Sequence, residues 1–323
     1  MFSFIIPFQK PNDYLVENLN NFNNLSQKFK YFELILLPDE KENLNVSNYN
    51  FNIKIIPTGK ISPPLKRDIG VKYSNYEILC FIDEDSYISK NWFKECQKSY
   101  SESNVVCVVG PGITPHSDPF FARIISTFFS SRLFSLFPER FLVFKKKMKV
   151  RDWPSVNFTI KKKSFLSVNG FSTNIWPGED TLLCNKLTVQ GIDIHYNGEM
   201  FVFHHRRNSI RSFIKQLFRY GYYRGKLFKD LKISSQYSFY LSFILILSAM
   251  FLFLIFDLNI YFSMFFLFFY YLSGVIESLI RTKSILSLCN FFLAPIGQIS
   301  YLFGFVKGFF KIKTEIENPS LGR

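Results

Sequence analysis

Three things are scarce or missing in this chain. No two of its five cysteines (Cys80, Cys96, Cys107, Cys184 and Cys289) stand in a C-x-x-C spacing, which excludes a zinc ribbon or a redox pair. The expectation is reduced, buried thiols that behave as small hydrophobes. An N-terminal secretory segment is not expected either, because Phe2–Ile6 is too short for an apolar signal core and stops at Pro7. Acidic charge is in short supply: 25 Asp and Glu face 39 Lys and Arg, a formal net charge of +14. Such an excess asks for an anionic partner, either nucleic acid or a lipid surface. No internal repeat is evident.

What the chain has in abundance is phenylalanine, 41 in 323 residues, many of them late in the sequence. Tyr237–Phe256 is a run of twenty uncharged residues, and Ile260–Ile276 is uncharged again. The first is long enough to cross a bilayer, and the second only just, unless it continues through Glu277. Ile285–Phe310 contains Pro295, Gly297 and Gln298 and reads as a re-entrant or interfacial hairpin in preference to a third span. Lys226, Lys229 and Lys232 precede the first run, and Arg281 and Lys283 follow the second. The positive-inside rule then places the large N-terminal region in the cytoplasm of a multi-pass protein of the plasma or inner membrane. With so much basic charge beside apolar segments, the lipid surface is the better partner and nucleic acid is not expected.

The first 110 residues alternate apolar runs with helix-length polar stretches. Strands are expected at Phe2–Ile6, Phe32–Leu37, Asn52–Ile56, Glu77–Ile82 and Val105–Val109, with helices at Asp13–Lys28, Pro64–Tyr73 and Trp92–Ser103. That rhythm predicts an α/β fold with a mostly parallel sheet flanked by helices, its ligand at the carboxyl ends of the strands. Residues 115–155 break the rhythm. Phe120, Ile124, Phe128 and Phe137 recur at helical spacing, and nine basic residues against one acid lie between Arg140 and Lys163. This stretch reads as an interfacial amphipathic and basic insertion. A helix at Asp180–Gln190, a strand at Phe201–Phe203 and a basic amphipathic helix at Ser209–Phe228 follow. The expected division is a catalytic domain at 1–228 and a membrane region of two or three apolar helices at 229–323. The oligomeric state is left open.

The sharpest chemical signal is Asp83-Glu84-Asp85 at the end of the buried run Cys80-Phe81-Ile82. Three adjacent carboxylates repel one another and lose hydration, so a cation that neutralises them is the natural partner. Mg²⁺ or Mn²⁺, held by one or two carboxylates together with substrate phosphates, suits such a cluster. A second signal, Gly178-Glu179-Asp180, opens a helix, and taken alone it reads as acids favouring a helix N-terminus. Lys66-Arg67-Asp68 puts two cations at the start of a helix. Gln216, Arg219 and Tyr220 share one helical face. His204-His205 ends a strand, with His204 a further candidate ligand.

As an ordered set these residues resemble family 2 glycosyltransferases with the GT-A fold, over about residues 1–228, and look closest to membrane-attached members. The resemblance implies donor contacts from Asp39, Lys66, Arg67, Asp83 and Glu84, with Asp39 at the base and Asp83 at the ribose. It implies Asp85 on the metal, Asp180 as general base with Glu179 beside it, and Gln216, Arg219 and Tyr220 on the acceptor and diphosphate side. The implied reaction is inverting transfer of a single sugar from a nucleotide-sugar to a lipid-linked saccharide or surface-polysaccharide precursor. Transfer to a polyprenyl phosphate, or a non-catalytic scaffold for polysaccharide assembly, are the alternatives. The chain departs from the family pattern in reading Pro38-Asp39-Glu40-Lys41 after the second strand and Lys66-Arg67-Asp68 in place of Ala-Arg-Asn.

Overall fold

The computed structural model describes residues 1–42, 44–135, 137–231 and 260–312, and the expected span Tyr237–Phe256 lies outside them. In chain order the first half holds β1 (Phe2–Pro7), α1 (Asp13–Ser26), β2 (Phe32–Leu37), β3 (Asn52–Ile55), α2 (Pro63–Lys72), β4 (Ile78–Ile82), β5 (Ser86–Ile88), α3 (Trp92–Tyr100), β6 (Cys107–Val109) and β7 (Gly112–Ile113). Then come α4 (Phe120–Phe129), α5 (Arg132–Ser135), a short 3₁₀ turn at Pro138–Arg140, β8 (Met148–Val150), β9 (Asn157–Lys161), α6 (Lys162–Ser167), α7 (Glu179–Val189), β10 (Ile194–Tyr196) and β11 (Val202–His204). Three long helices close the description: α8 (Ile210–Leu231), α9 (Ile260–Thr282) and α10 (Asn290–Phe309).

Two compact units result. The first combines Met1–Ile113 with Leu142–His205 and contains both sheets. The larger sheet has the order β3-β2-β1-β4-β9-β6-β10-β8. Strands β1 to β4 are mutually parallel, as the sequence predicts, whereas β9 runs antiparallel between β4 and β6, and β8 is antiparallel to β10. Alternation along β1 sends Phe2, Phe4 and Ile6 into one core layer and Ile5 into the other. On α1, Leu15, Leu19 and Phe22 form the buried stripe over the first layer, and Asn12 caps the helix by accepting from the Leu15 amide at 2.9 Å. Helix α2 opens on Pro63-Pro64, whose missing amides cost nothing in a first turn. Its Gly70 lets the backbone lie close on the sheet, since a Cβ there would fall 2.7 Å from Ile5. The small sheet, β5-β11-β7, sits beside the carboxyl end of β4 in the chain path.

The second unit combines Thr114–Phe141 with the described part of Arg206–Lys313. The aromatic stripe of α4 is largely packed: Ile124, Ile125, Phe128 and Phe129 are buried with Phe213, Leu293 and Ala294, and Phe120 at the stripe's start is well exposed. In the first unit, part of the basic stretch is sheet edge, because Met148 and Val150 alternate with Lys149 and pair with β10. Lys147 and Lys149 point outward to Glu102 and Asp193, a charged edge that resists further pairing. The apolar stretch 285–310 holds no hairpin after its 3₁₀ start, since Asn290–Phe309 is one helix with Pro295 inside it. That proline removes one backbone donor near the helix start without reversing the chain. Segments Met264–Thr282 and Ile285–Phe309 are long and apolar enough to cross a membrane, and only 17% and 28% of them is buried.

Candidate active site

Strand β4 is buried to Ile82, and the chain then turns sharply through Asp83-Glu84-Asp85 into β5. The turn is fixed from within by Ser86, whose hydroxyl donates to Asp83 O at 2.8 Å and accepts from the Asp83 amide at 3.2 Å. It is held from α1 by Asn18, which donates to the carbonyls of Ser86 and Asp83. Strand β11 pairs antiparallel with β5, with His204 opposite Ser86, and the His205 amide donates to Asp85 O at 3.0 Å. The pairing brings the imidazole to the carboxylates. One ligand atom from each of Asp83, Asp85 and His204 lies within 4.8 Å of the others, and His204 Nε2 is 3.4 Å from Asp85 Oδ1. Two carboxylates and one imidazole fit a divalent cation, with Mn²⁺ accommodating the mixed oxygen and nitrogen set and Mg²⁺ the oxygens.

Behind this cluster Arg67 is almost wholly buried and forks between two carboxylates. Its Nη2 donates to Asp83 Oδ1 at 2.7 Å and its Nη1 to Glu179 Oε1 at 3.1 Å, while the guanidinium lies 5.7 Å from the Phe171 ring centre. Glu179 is equally buried. Burial pushes its carboxyl up to about 8, the neighbouring Asp180 adds to the rise, and Arg67 opposes it. Gly178, at φ 118°, makes the turn that starts α7, and its amide donates to Glu179 Oε2 at 2.9 Å. Asp180, next in the first turn, is half-buried and accepts from the Thr181 amide at 2.9 Å. Both acids therefore also face the positive end of the helix.

Lys66 and Asp39 meet at the ends of β1 and β2. The Lys66 ammonium donates to Asp39 Oδ1 at 2.5 Å, to Phe8 O at 2.5 Å and to Leu37 O at 3.1 Å. Burial pulls the Lys66 pKa down, and the charges of Asp39 and Glu84 hold it up. Asp68 turns away from this group: it accepts from the amides of Phe171 and Ser172 at 2.9 and 2.8 Å and ties α2 to the turn at Gly170, where φ is +58°. Asn157 is buried in the sheet, accepting from Trp92 Nε1 and donating to Met200 O.

Thus Asp39, Lys66, Arg67, Asp83, Glu84, Asp85, Glu179, Asp180 and His204 all belong to the sheet unit. Gln216, Arg219 and Tyr220 belong to α8 in the helical unit, where Gln216 Nε2 donates to the Tyr220 hydroxyl at 3.0 Å. Sequence reasoning overlooked Asn18, Ser86 and the partners of His205. His205 Nε2 lies 2.9 Å from Glu17 Oε2, and its ring packs 4.7 Å from that of Tyr14. The polar residues of α1 carry no motif that would have announced them. The histidine pair did carry a signal: successive residues on a strand face opposite ways, so only one of the two could join Asp85.

The family model for glycosyl transferase family group 2 matches residues 78–296. Among solved structures, the mannosyltransferase PcManGT from Pyrobaculum calidifontis, in complex with GDP-Man and Mn²⁺, is similar over 97% of this chain and 88% of its own, with a TM-score of 0.59 and 10% identity. GalNAc-T7 with UDP, GalNAc and Mn²⁺ is similar over 63% of this chain, with a TM-score of 0.46 and 14% identity, and the match spans 43% of that protein's chain. No protein with a curated description matches. The PcManGT likeness shows a GT-A-type fold, and the family match, which spans more than half of the sequence, shows that this chain belongs to glycosyl transferase family group 2.

Proposed function

We propose that this glycosyltransferase moves a single sugar from a nucleotide-sugar to a hydroxyl of a lipid-linked saccharide or surface-polysaccharide precursor, with inversion at the anomeric carbon. The observation that carries the reading is the clustering of Asp83, Asp85 and His204 at the end of β4, with Arg67 joining that cluster to Glu179 beside Asp180. The GDP-Man and Mn²⁺ of PcManGT support a donor of the same class. Asp85 and His204, with Asp83 alongside, would hold the divalent ion, and by the family resemblance Asp83 would also reach the donor ribose. When bound, that ion neutralises charge developing on the leaving diphosphate.

Arg67 holds Asp83 and Glu179 in register with two of its five N–H donors, and the family resemblance gives it a donor contact as well. Glu179 is a buried orienting group. The acceptor oxygen attacks the anomeric carbon as the bond from that carbon to the diphosphate oxygen breaks. The acceptor proton goes to the Asp180 carboxylate, and the nucleoside diphosphate leaves with the electron pair. Gln216, Arg219 and Tyr220 serve the acceptor side by the family resemblance. The sheet unit faces the cytoplasm, where nucleotide-sugars are made, and the basic residues flanking the apolar helices support that orientation.

The test is a panel of nucleotide-sugars with Mn²⁺ or Mg²⁺ on detergent-solubilised protein, followed by Asp180→Asn on two acceptors, a lipid-linked sugar and a polyprenyl phosphate. The expected result is turnover that chelation abolishes, with Asp180→Asn inactive on the sugar hydroxyl. A variant active on the lipid-linked sugar removes the general-base role. Activity on the polyprenyl phosphate alone reassigns the acceptor, whose oxygen is already anionic. Failure to bind any nucleotide with metal favours a scaffold.

A further inference from the structure

The Lys66 position is where the chain leaves its family's pattern, and the structure gives that lysine a complete set of partners. An ammonium has three protons. Phe8 O, Leu37 O and Asp39 Oδ1 accept all three, and the side chain is 3% exposed. Lys66 therefore has no donor left for a nucleotide. What it does is fasten together the ends of two adjacent parallel strands and one oxygen of Asp39, at the edge of the sheet where ligands of such folds bind. The backbone about Asp39 is held as well: its amide donates to Gln9 O at 3.1 Å, and Gly59 and Thr58 donate to the carbonyls of Asp39 and Pro38 at 2.9 and 3.0 Å. Asp39 keeps 15% of its side chain exposed, and with Oδ1 taken, Oδ2 is the oxygen available to a ligand.

We propose that Lys66 is a specificity-determining positioning residue, which fixes Asp39 as an acceptor-only reader of the donor nucleotide's base and thereby selects bases that present a ring N–H. This rests on the donor reading above, in which Asp39 meets the base. A carboxylate oxygen accepts and cannot donate. Uracil and thymine offer N3–H, and guanine offers N1–H. Adenine N1 and cytosine N3 would set lone pair against lone pair. A mobile aspartate could rotate away from that clash, whereas one pinned by a buried ammonium cannot, so pinning converts a contact into a selection.

The experiment is calorimetric titration of UDP, GDP, CDP and ADP, each with Mn²⁺, into the full-length protein in detergent. Wild type is expected to bind UDP or GDP at least about tenfold more tightly than CDP and ADP, the size of one well-placed hydrogen bond to a charged group. Lys66→Gln and Lys66→Met narrow that gap to about threefold or less and raise donor KM with kcat nearly unchanged. Asp39→Asn supplies the decisive arm. With Lys66 present, the ammonium takes the amide oxygen and turns the NH₂ toward the base, so preference shifts to CDP and ADP. In the Lys66→Met, Asp39→Asn double variant the amide is free to flip and no preference remains.

Unchanged preference in both Lys66 variants overturns the proposal, as does the same shift from Asp39→Asn with and without Lys66. If Lys66→Met fails to fold, Lys66→Gln, an uncharged and shorter side chain whose two N–H donors cannot serve all three acceptors, and Asp39→Asn in the intact background still decide it. A wild type that binds none of the four nucleotides overturns the donor reading itself. One that binds UDP or GDP but keeps its preference when Lys66 is replaced overturns only the role of Lys66.

Discussion

Arg67 shows how one side chain can tie two carboxylates of a site together. Its guanidinium holds Glu179, which is buried, and Asp83, which is 28% exposed, so its loss leaves both carboxyls without their partner. Removing one partner of a buried pair typically costs about 3–5 kcal/mol where the other stays charged. Arg67→Met is therefore expected to lower stability by that order and to abolish sugar transfer, whereas Arg67→Lys, a point charge in place of a fork, should restore folding better than activity. Urea unfolding beside a transfer assay checks this, and a fully active Arg67→Met would refute it. Glu179 gives a pH prediction. Its carboxyl is raised from an ordinary 4.5 to about 8 in the folded protein. A raised carboxyl favours the native state while protonated, so its contribution is complete below about 4.5 and is lost as pH rises through about 8. Melting temperature should fall across that range in wild type and fall less in Glu179→Gln. Equal slopes would mean that Arg67 keeps Glu179 ionised throughout.

At the scale of elements, the site depends on β11 lying on β5, because that register alone sets His204 beside Asp85. His205, on the opposite face, holds the strand to α1 through Glu17. Removing that tie with Glu17→Ala should weaken Mn²⁺ binding, measured by electron paramagnetic resonance in the presence of nucleotide, by severalfold with little change in folding. An unchanged affinity would leave Glu17 as ordinary surface. In the helical unit, α8 and α10 lie backbone to backbone. Gly221 and Gly225 approach the carbonyls of Tyr301 and Phe305, while Gly304 and Gly308 approach those of Phe218 and Tyr222, so contacts advance together and the helices run parallel. No side chain fits there. Gly304→Ala or Gly308→Ala must part the helices and should cost about 1–3 kcal/mol by thermal denaturation in detergent. A neutral outcome at both positions would mean that the seam opens freely.

For the whole molecule, the two long apolar helices bury only 17% and 28% of their apolar windows and expose Phe265, Phe266, Phe292 and Phe303, which in water would be an aggregation hazard and in lipid is the natural state. The protein is expected to stay with membranes through a high-pH carbonate wash, and release into the supernatant would contradict this. The parallel pairing adds a constraint on depth. Helix α8 carries Arg211, Lys215, Arg219, Arg224, Lys226 and Lys229 with Asp230 as its one acid, and each cation at a bilayer centre costs about 2.5–3.5 kcal/mol or more. A spin label at Ser300 on α10 should therefore report a shallow position, near the headgroups. A label at the bilayer midplane would count against that placement.

The sequence by itself determined the sheet-forming core, the acidic triplet at a strand end and the family. Each of these follows from local pattern: alternation buries β1 and β2, period 3.6 sets the stripe of α1, and the triplet is adjacent in the chain. Tertiary structure decided what distance along the chain conceals. It packed the aromatic stripe of α4 into a core, turned part of the basic stretch into the edge strand β8, and made one helix of a stretch that reads as a hairpin, because partners for those faces come from elsewhere in the chain. It also assigned the cations. In sequence Lys66 and Arg67 are neighbouring positive charges at a helix start. In the fold, their separate directions on α2 send Lys66 to Asp39 and two strand ends, and Arg67 to Asp83 and Glu179. Only the three-dimensional placement of carboxylates, brought together from up to 112 residues apart, determines which charge each cation meets.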